Sequence, residues 1–270
     1  MVYAGVIGGK HKRRPLGAGG VREAADYTIE EFAFGNELPY RNRLFFIQHL
    51  IPYLFFSPQC KNLDVLEIGT GQGYGSYYLS KKAKSVTGID LNFSTAGLVK
   101  RYQDRYRRDN IDFVCADGVQ LPFTQDSFDR VITCQVIEHI PEDKLILFLE
   151  EICRVLKDGG VLLVSTLNIE HNLKNIKTYE KYPEHHKEFT RDELYILLKN
   201  IFPRVDMYGL NISFRHRFFL RLKRWGFLQY NFFGANPVRS FFENIAPGDF
   251  KVSTNISRRS SDFFALCYKK

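Results

Sequence analysis

The sequence has no apolar run that approaches 18 residues, so it predicts no transmembrane helix. Its five cysteines lack the paired spacing of a disulfide framework or a metal-binding cluster. This predicts a reducing compartment, the cytoplasm, and no bound metal. Residues 1–20 are basic and rich in glycine but contain no apolar stretch suited to a signal peptide, so we expect a disordered basic tail there.

Acidic residues are fewer than basic ones. The chain has 30 aspartates and glutamates and 38 lysines and arginines, which gives a formal net charge of +8. Between Met207 and Phe242 there is no acidic residue, and aromatic side chains are dense. This charge favours anionic partners, and membrane lipid, a lipid-linked substrate and nucleic acid all qualify. With 270 residues, 44% of them hydrophobic, the chain is long enough to bury the core of one α/β domain.

The stretch 64–75 combines a strand pattern with a glycine-rich turn. An apolar run ends at Ile68, and glycines follow at every second position, 69, 71, 73 and 75. The residues from Ser76 onward are typical of the start of a helix. Strand, glycine turn and helix make the nucleotide-binding corner of a doubly wound α/β sheet, where glycine permits a tight turn and the close approach of a ligand.

Two classes of cofactor use such a corner, and the spacing separates them. A dinucleotide fingerprint, G-x-G-x-x-G, would need a third glycine at residue 74 or 76, and those positions hold Tyr74 and Ser76. The run E-I-G-x-G-x-G instead resembles the first motif of class I S-adenosylmethionine-dependent methyltransferases. Glu67, at the end of the strand, suits a ligand that carries an ammonium and a sulfonium and would suit a pyrophosphate badly. An NAD-dependent oxidoreductase is therefore the weakest alternative.

Further elements follow at the spacing that this fold requires. Strands are predicted at 85–90, 111–115, 128–134, 161–166, 205–210 and 262–268, with helices at 94–108 and 142–157. Asp90 ends the second strand about 20 residues after the glycine turn, where a carboxylate can accept hydrogen bonds from ribose hydroxyls. The alternative is that Asp90 caps the helix that begins near Ser94.

Across residues 61–202 the order of motifs resembles the type 11, small-molecule branch of class I methyltransferases. The motifs are G-x-G-x-G, G-I-D, A-D-G followed by L-P-F, S-F-D-x-V, x-E-H-I, R-V-L-K-x-G-G and S-T-x-N. The resemblance implies a doubly wound, Rossmann-like α/β fold with a seven-stranded, mostly parallel sheet whose last strand is antiparallel. It also implies that S-adenosylmethionine is the cofactor and that its contacts are Glu67, Gly69, Thr70, Gly71, Gly73, Asp90, Leu91, Asp117, Gly118, Gln135 and Val136.

The same resemblance implies roles for several of these residues. The glycines cradle the amino-acid part of the cofactor, and Asp117 faces the adenine amino group. Gln135 and Val136 present backbone to the methionine part. Two departures occur, since Thr70 stands where many relatives have Cys or Ala, and Asp158 replaces the proline of the usual Lys-Pro-Gly turn. Neither departure removes a cofactor contact.

A narrower resemblance concerns the segment after the fifth strand. Pro183, His185 and Glu188 match the Pro-x-His-x-x-Glu-Phe/Leu segment of methyltransferases from bacterial glycan and cell-surface polysaccharide pathways. It implies O-methylation of a sugar or a lipid-linked glycan, with His185 as a candidate base. Glu138 and His139 are further candidates, because a hydroxyl acceptor must lose its proton. Alternatively, Glu138 and His139 only orient the next helix, and His185 only holds its loop through Glu188.

Two segments outside these motifs are expected to border the ligands. Residues 21–60 are predicted as an N-terminal helical cap, with plain packing on the sheet as the alternative for most of their aromatics. Residues 211–260 interrupt the 61–270 domain with a basic, aromatic insertion beside the substrate entrance. Within it, residues 214–225 predict an amphipathic helix that contacts an anionic membrane or lipid-linked substrate, binds nucleic acid, or packs on the core with a solvated basic side.

The sequence thus favours an S-adenosylmethionine-dependent methyltransferase for a sugar or lipid-linked glycan, in the cytoplasm or peripheral to the inner face of the membrane. Lipids and quinone-type metabolites are alternative acceptors. The basic segments keep a nucleic-acid-binding or RNA-modifying protein open, although residues 135–138 do not carry an Asn-Pro-Pro-Tyr-like motif. A catalytically silent scaffold would have no need of Glu67, the glycines or Asp90.

Overall fold

The computed structural model describes residues 43–172, 179–231 and 236–270, apart from residues 95, 98–99, 101–102 and 105–106. They form an eight-stranded sheet with helices on both sides. The strands are β1 (Asp64–Ile68), β2 (Ser85–Asp90), β3 (Ile111–Cys115), β4 (Phe128–Cys134), β5 (Leu156–Leu167), β6 (Arg204–Ile212), β7 (Phe250–Ser253) and β8 (Asp262–Tyr268). The predicted tail at 1–20 and the part of the predicted cap before residue 43 lie outside the described residues.

The order of the strands places two loops side by side. The sheet runs β3-β2-β1-β4-β5-β8-β6-β7, and the strands from β3 to β5 are parallel neighbours. The chain winds outward in one direction from β1 and in the other from β4. In a doubly wound sheet a ligand crevice opens at this switch point, outside the carboxyl ends of the strands. The predicted fold class is confirmed, and the glycine turn after β1 adjoins the loop after β4.

The number of strands is corrected from seven to eight. β8 lies antiparallel between β5 and β6, as predicted for the last strand. β6 continues to Ile212, two residues past the predicted end, and residues 209–212 pair antiparallel with β7. An uncovered edge at this point would leave backbone N–H and C=O groups unpaired. β7 covers that edge with a strand that the sequence pattern did not reveal.

The helices cover the sheet on both sides. The labelled helices are α1 (Arg43–Phe56), α2 (Tyr74–Ser80), α3 (Leu145–Val155), α4 (Ile169–Asn172), α5 (Arg191–Lys199), α6 (Phe214–Arg224) and α7 (Pro237–Glu243). Residues 96–97, 100 and 103–104 of the predicted helix 94–108 are also helical. None of the described helices combines the length and the apolarity needed to cross a membrane.

Two buried clusters form the core, one on each side of the sheet. α1, α2 and α7 share the first cluster, and Phe56 of α1 packs 5.6 Å from Phe264 of β8, measured between ring centroids. α3 and α5 share the second cluster through Phe148 and Leu194. The predicted helix 142–157 is shorter in the structure, because Leu156 already pairs with Phe128 as the first residue of β5.

Candidate active site

The glycine turn after β1 has a backbone that other residues rarely adopt. Gly69, Gly71 and Gly73 have φ angles of +79°, +54° and +81°. A Cβ on Gly69 would lie 2.3 Å from Cγ2 of Val136, so this glycine lets the loop after β4 approach closely. A Cβ on Gly71 would have its nearest neighbour 4.0 Å away. The turn is therefore packed against protein at Gly69 and has free space beside Gly71. Thr70, between them, is buried and donates its hydroxyl hydrogen to the Ile89 carbonyl of β2 over 3.3 Å.

Glu67, on β1 just before this turn, is a fully buried carboxyl group with an unsatisfied oxygen. The Ser76 hydroxyl donates to Oε2, whereas Oε1 has no hydrogen-bond partner among the described residues. Burial raises the pKa of Glu67 to about 7. The pKa of Tyr53 from α1 is also raised, by burial first and by the nearby Glu67 second. A buried carboxylate with a free oxygen is suited to pair with a cation such as a ligand's ammonium group.

Asp90 connects the end of β2 to the glycine turn. Its Oδ2 accepts a hydrogen bond from the Gly71 N–H over 2.8 Å, and its Oδ1 accepts one from the Asn92 N–H over 2.9 Å. A carboxylate has about four acceptor positions, so each oxygen keeps one for a ligand. The next residue, Leu91, is 72% exposed, which leaves an apolar surface beside the carboxylate.

Asp117 and Gly118 follow β3 and differ in their surroundings. Asp117 is exposed, and its Oδ1 accepts a hydrogen bond from the Val119 N–H over 3.0 Å. Gly118 is buried, and a Cβ there would lie 2.9 Å from Cε2 of Phe148 on α3. Packing against α3 is sufficient to explain why residue 118 is small, and its predicted contact with a cofactor stays a prediction.

The loop after β4 is held in an unusual conformation above the glycine turn. Gln135 has a φ of +56°, which a residue with a side chain rarely adopts. Its N–H donates to the Ser165 carbonyl over 2.9 Å, and its Nε2 donates to Oδ1 of Asp262 over 3.2 Å. Burial raises the pKa of Asp262 to about 6. These bonds fix the loop so that Val136 rests on Gly69.

All three predicted catalytic residues lie together at the end of this loop. One ligand-type atom each of Glu138, His139 and His185 lies within 4.8 Å of the other two. The rings of the two histidines meet edge to face, with 4.7 Å between their centroids. The backbone explains the contact, because the Glu138 carbonyl accepts hydrogen bonds from the N–H groups of His186 and Lys187 over 2.8 and 3.2 Å. We call Glu138, His139 and His185 the Glu-His-His cluster.

Each member of the cluster has a partner behind it. Nδ1 of His185 is 2.8 Å from Oε1 of Glu188, and Nδ1 of His139 is 3.0 Å from the Glu184 carbonyl. A carboxylate and a carbonyl only accept, so Nδ1 is the donor in both rings, and in a neutral ring Nε2 then carries the lone pair. The Thr166 hydroxyl donates to Oε2 of Glu138 over 2.9 Å. The predicted contact between His185 and Glu188 is therefore present, and the free Nε2 also leaves room for a chemical role.

Burial sets the protonation of two members. It raises the pKa of Glu138 to about 7, with a smaller contribution from the neighbouring carboxyl groups of Asp262 and Glu188. Burial also lowers the pKa of His139, which favours the neutral imidazole at neutral pH. A carboxyl group near its pKa beside the neutral imidazole of His139 can exchange a proton with a bound hydroxyl compound.

Helix α6 presents basic and aromatic side chains to solvent. Six exposed residues of α6 and its C-cap recur at three- and four-residue spacing, and we call them the α6 outer face: Phe214, Arg217, Phe218, Arg221, Arg224 and Trp225. Arg215 and Lys223 are exposed as well. Phe214 and Trp225 are 78% and 71% exposed. The helix packs inward through His216 and through Phe219, which stacks on Phe241 with 4.3 Å between ring centroids. The core-packing alternative is therefore wrong for Phe214, Phe218 and Trp225, because Phe219 and His216 occupy that role.

A cleft of about 1420 Å³ opens between α6 and the ends of β6 and β7. Among the described residues its walls carry no acidic side chain, and they carry five cationic ones: Arg217, Arg221, Arg224, Lys251 and Arg259. Apolar side chains, including Ile212, Leu220 and Phe250, make up much of the remaining wall. A ligand with both an anionic group and an apolar part matches this lining.

Several residues of the site were not predicted from the sequence. Ser76, Thr166 and Asp262 hydrogen-bond to Glu67, Glu138 and Gln135. Ser76 and Thr166 sit in helix and strand patterns without any sign of a polar role. Asp262 is the first residue of the predicted last strand, and an acid there was the one available signal. Tyr179 also donates its hydroxyl hydrogen to Glu188.

Comparisons with known proteins relate part of the chain to a family. A family model described as "Methyltransferase domain", of the type 11 family, matches residues 66–164. A "probable S-adenosylmethionine-dependent methyltransferase" of Mycobacterium tuberculosis is 34% identical over 166 residues, which are 61% of this chain and 58% of that protein. The phthiotriol/phenolphthiotriol dimycocerosates methyltransferase of the same species is 39% identical over 99 residues, 36% of this chain and 35% of that protein. The chain thus spans less than two thirds of the length of these relatives.

A solved structure agrees with the sheet described above. A SAM-dependent methyltransferase of Thermotoga maritima matches 86% of this chain and 98% of its own, with a TM-score of 0.55 and 16% identity. At this identity the likeness concerns the fold alone. The predicted resemblance to type 11 class I methyltransferases is confirmed, whereas the resemblance to glycan-pathway enzymes is not confirmed by these relatives and stays a prediction.

Proposed function

We propose that this chain, whose residues 66–164 are a methyltransferase domain, transfers a methyl group from S-adenosylmethionine to a hydroxyl group of a lipid-linked acceptor. One observation carries the proposal. The loop that touches the glycine turn through Val136 continues directly into Glu138 and His139. A cofactor on the turn and an acceptor at the Glu-His-His cluster would therefore be neighbours, as a displacement reaction requires.

The residues around the glycine turn fit S-adenosylmethionine by their chemistry. Glu67 has a free buried oxygen for the ammonium group, and the open side of Gly71 leaves space for the amino-acid part. Asp90 would accept hydrogen bonds from the ribose hydroxyls with its remaining lone pairs. Leu91 would cover one side of the adenine ring, and the Asp117 carboxylate would accept a hydrogen bond from the adenine amino group.

The Glu-His-His cluster would manage the proton of the acceptor. When bound, S-adenosylmethionine supplies the methyl carbon, which the acceptor oxygen takes as the carbon–sulfur bond breaks and the sulfur keeps the bonding pair. Nε2 of His185 would accept the hydroxyl proton, because Glu188 holds the proton of that ring on Nδ1. His139 and Glu138 orient the hydroxyl group.

The acceptor class is inferred from the cleft and from one relative. The cationic and apolar lining suits an amphiphile with an anionic group, as in a lipid-linked glycan. The relative named for phthiotriol dimycocerosates acts on a lipid, which keeps a lipid without a glycan as the second candidate. The glycan is favoured by the resemblance of the segment that contains Pro183, His185 and Glu188 to glycan-pathway methyltransferases.

We expect the α6 outer face to bind an anionic membrane, from which such an acceptor would be taken. Aromatic residues beside arginines on one side of a helix are typical of interfacial helices. The variant R217Q/R221Q/R224Q should bind vesicles of phosphatidylglycerol and phosphatidylcholine about 100-fold more weakly, because each cation near such a surface contributes about 1 kcal/mol. Co-sedimentation at 0.1 M salt measures this binding.

Two controls make the vesicle experiment decisive. The variant K61Q/K82Q/R191Q removes the same charge from exposed positions elsewhere and should bind nearly as well as the parent chain. Vesicles of phosphatidylcholine alone carry no net charge and should bind neither the parent chain nor the variants. Equal loss in both triple variants, or tight binding of RNA that exceeds binding of the anionic vesicles, would contradict the membrane assignment.

The cofactor is tested by calorimetric titration with S-adenosylhomocysteine, with NAD as the control. We expect one site of micromolar affinity for S-adenosylhomocysteine and no heat from NAD, because Glu67 lies where a pyrophosphate would be repelled. If neither compound binds, the proposed activity fails and a silent domain becomes the better description.

A further inference from the structure

The Glu-His-His cluster has the composition of a metal-binding site. It joins one carboxylate to two imidazoles from different loops, with ligand-type atoms within 4.8 Å of one another. Both rings use Nδ1 in hydrogen bonds to Glu188 and to the Glu184 carbonyl, so both offer the lone pair of Nε2. Two histidines and one glutamate with an open position are a ligand set found around catalytic divalent metals.

The groups behind the three side chains are of the kind that support metal ligands. A ligating histidine nearly always donates its second N–H to a carboxylate or a carbonyl, which fixes the ring and its tautomer. His185 has the carboxylate of Glu188, whose side chain is completely buried, and His139 has the Glu184 carbonyl. Glu138 is held in turn by the Thr166 hydroxyl. Every candidate ligand therefore has its own orienting partner.

We propose that Glu138, His139 and His185 bind one divalent transition-metal cation, and that this cation holds the acceptor hydroxyl. The role of the cation in holding the acceptor rests on the proposed methyl transfer, whereas the binding of the cation does not. Two imidazoles favour zinc, manganese, iron or cobalt over magnesium and calcium, which prefer oxygen ligands only. Ligand atoms about 2.1 Å from a cation are about 3–4 Å apart, so binding would draw the three side chains slightly inward.

A bound cation would change how the acceptor loses its proton. The acceptor oxygen takes the open coordination position, where the cation lowers the pKa of the hydroxyl group. The proton leaves to water, the oxygen forms its bond to the methyl carbon, and the carbon–sulfur bond breaks with both electrons going to sulfur. In this state His185 is a ligand and not the base.

The test is calorimetric titration of the full chain with MnCl₂ and, separately, with ZnCl₂. We expect one cation per chain, and at least about 100-fold weaker binding in H139A and in H185A, since each removes a ligand. The variant E188Q should lie between these and the parent, at about 10–100-fold, as loss of an orienting partner does in other metal sites. H186A removes the exposed histidine beside the cluster and should bind like the parent.

A second readout reports the ligands directly. Co²⁺ bound in a low-coordinate site of nitrogen and oxygen ligands absorbs visible light, and that absorption should appear in the parent and in H186A but not in H139A. Absence of a site in the parent chain overturns the proposal, and so does a site that H139A and H185A leave unchanged. Thermal unfolding curves establish that each variant is folded.

The outcome is separable from that of the proposed function. S-adenosylhomocysteine is titrated into the same preparations, and its site at the glycine turn contains none of the three ligands. If S-adenosylhomocysteine binds while Mn²⁺ and Zn²⁺ do not, the metal site fails and the methyltransferase stands. If the cations bind at the cluster while S-adenosylhomocysteine does not, the metal site stands without the proposed activity.

Discussion

Replacing His185 with alanine is expected to lower kcat about 100- to 10,000-fold, the range that a positioned acid–base group contributes. The reason is the same whether Nε2 of His185 accepts the hydroxyl proton or holds a cation that acidifies the hydroxyl. In both cases the variant loses the step that makes the acceptor oxygen nucleophilic. The affinity for S-adenosylhomocysteine should change less than about twofold, because His185 is joined to the glycine turn only through other residues.

Transfer of tritiated methyl groups from S-adenosylmethionine into a total membrane-lipid extract measures this effect. The matched control is H186A, which removes a histidine one residue away while keeping the backbone N–H that bonds to the Glu138 carbonyl. It should retain most of the activity. Comparable losses in H185A and H186A, or a parallel loss of S-adenosylhomocysteine affinity in H185A, would show that His185 acts by supporting the loop and not by chemistry.

The variant E67Q should weaken S-adenosylhomocysteine binding about 10- to 150-fold while making the cofactor-free protein more stable at pH 8. The loss of affinity follows from removing a charged hydrogen bond, worth about 1.5–3 kcal/mol, between a buried carboxylate and the ligand's ammonium group. The gain of stability follows because burial disfavours the charged form of Glu67, so its charge is costly before the ligand binds.

The pH dependence of this gain is determined by the pKa of Glu67, which burial raises from 4.5 to about 7. Between these values the folded chain holds a proton that the unfolded chain has lost, so stability falls as the pH rises through this window. The full cost, about 3 kcal/mol, is present above pH 7. E67Q has no proton to lose and should therefore exceed the parent at pH 8 by up to that amount, and by little at pH 5.

Thermal unfolding at pH 5 and pH 8 without cofactor provides the measurement. E150Q, an exposed glutamate on α3, is the control and should change neither stability nor affinity. An E67Q protein that is less stable than the parent at both pH values would indicate that the carboxylate already has a partner in the free protein. Unchanged affinity would remove Glu67 from the cofactor site.

Local patterns predicted most of the strands of the sheet and, within the site, the glycine turn and the acids beside it. The strand before Gly69, the acid at the end of β2 and the amphipathic α3 are each visible in a short window, because strand and helix periodicity depends on nearby residues. β7 escaped prediction, since its four residues gain their role only by pairing with the end of β6. The exposed side of α6 was also ambiguous, because periodicity gives the spacing of side chains but not which side another element covers.

The sequence by itself determined the glycine turn, the acids at Glu67 and Asp90 and the positions of the parallel strands along the chain, because these follow from local residue patterns. Only the tertiary structure decided that Glu138 and His139 meet His185, which lies after the next strand. That contact exists because β4 and β5 are neighbours in the sheet and their following loops leave at the same edge. The tertiary structure also decided which carboxyl groups are buried, and burial raises the pKa values of Glu67 and Glu138 to about 7.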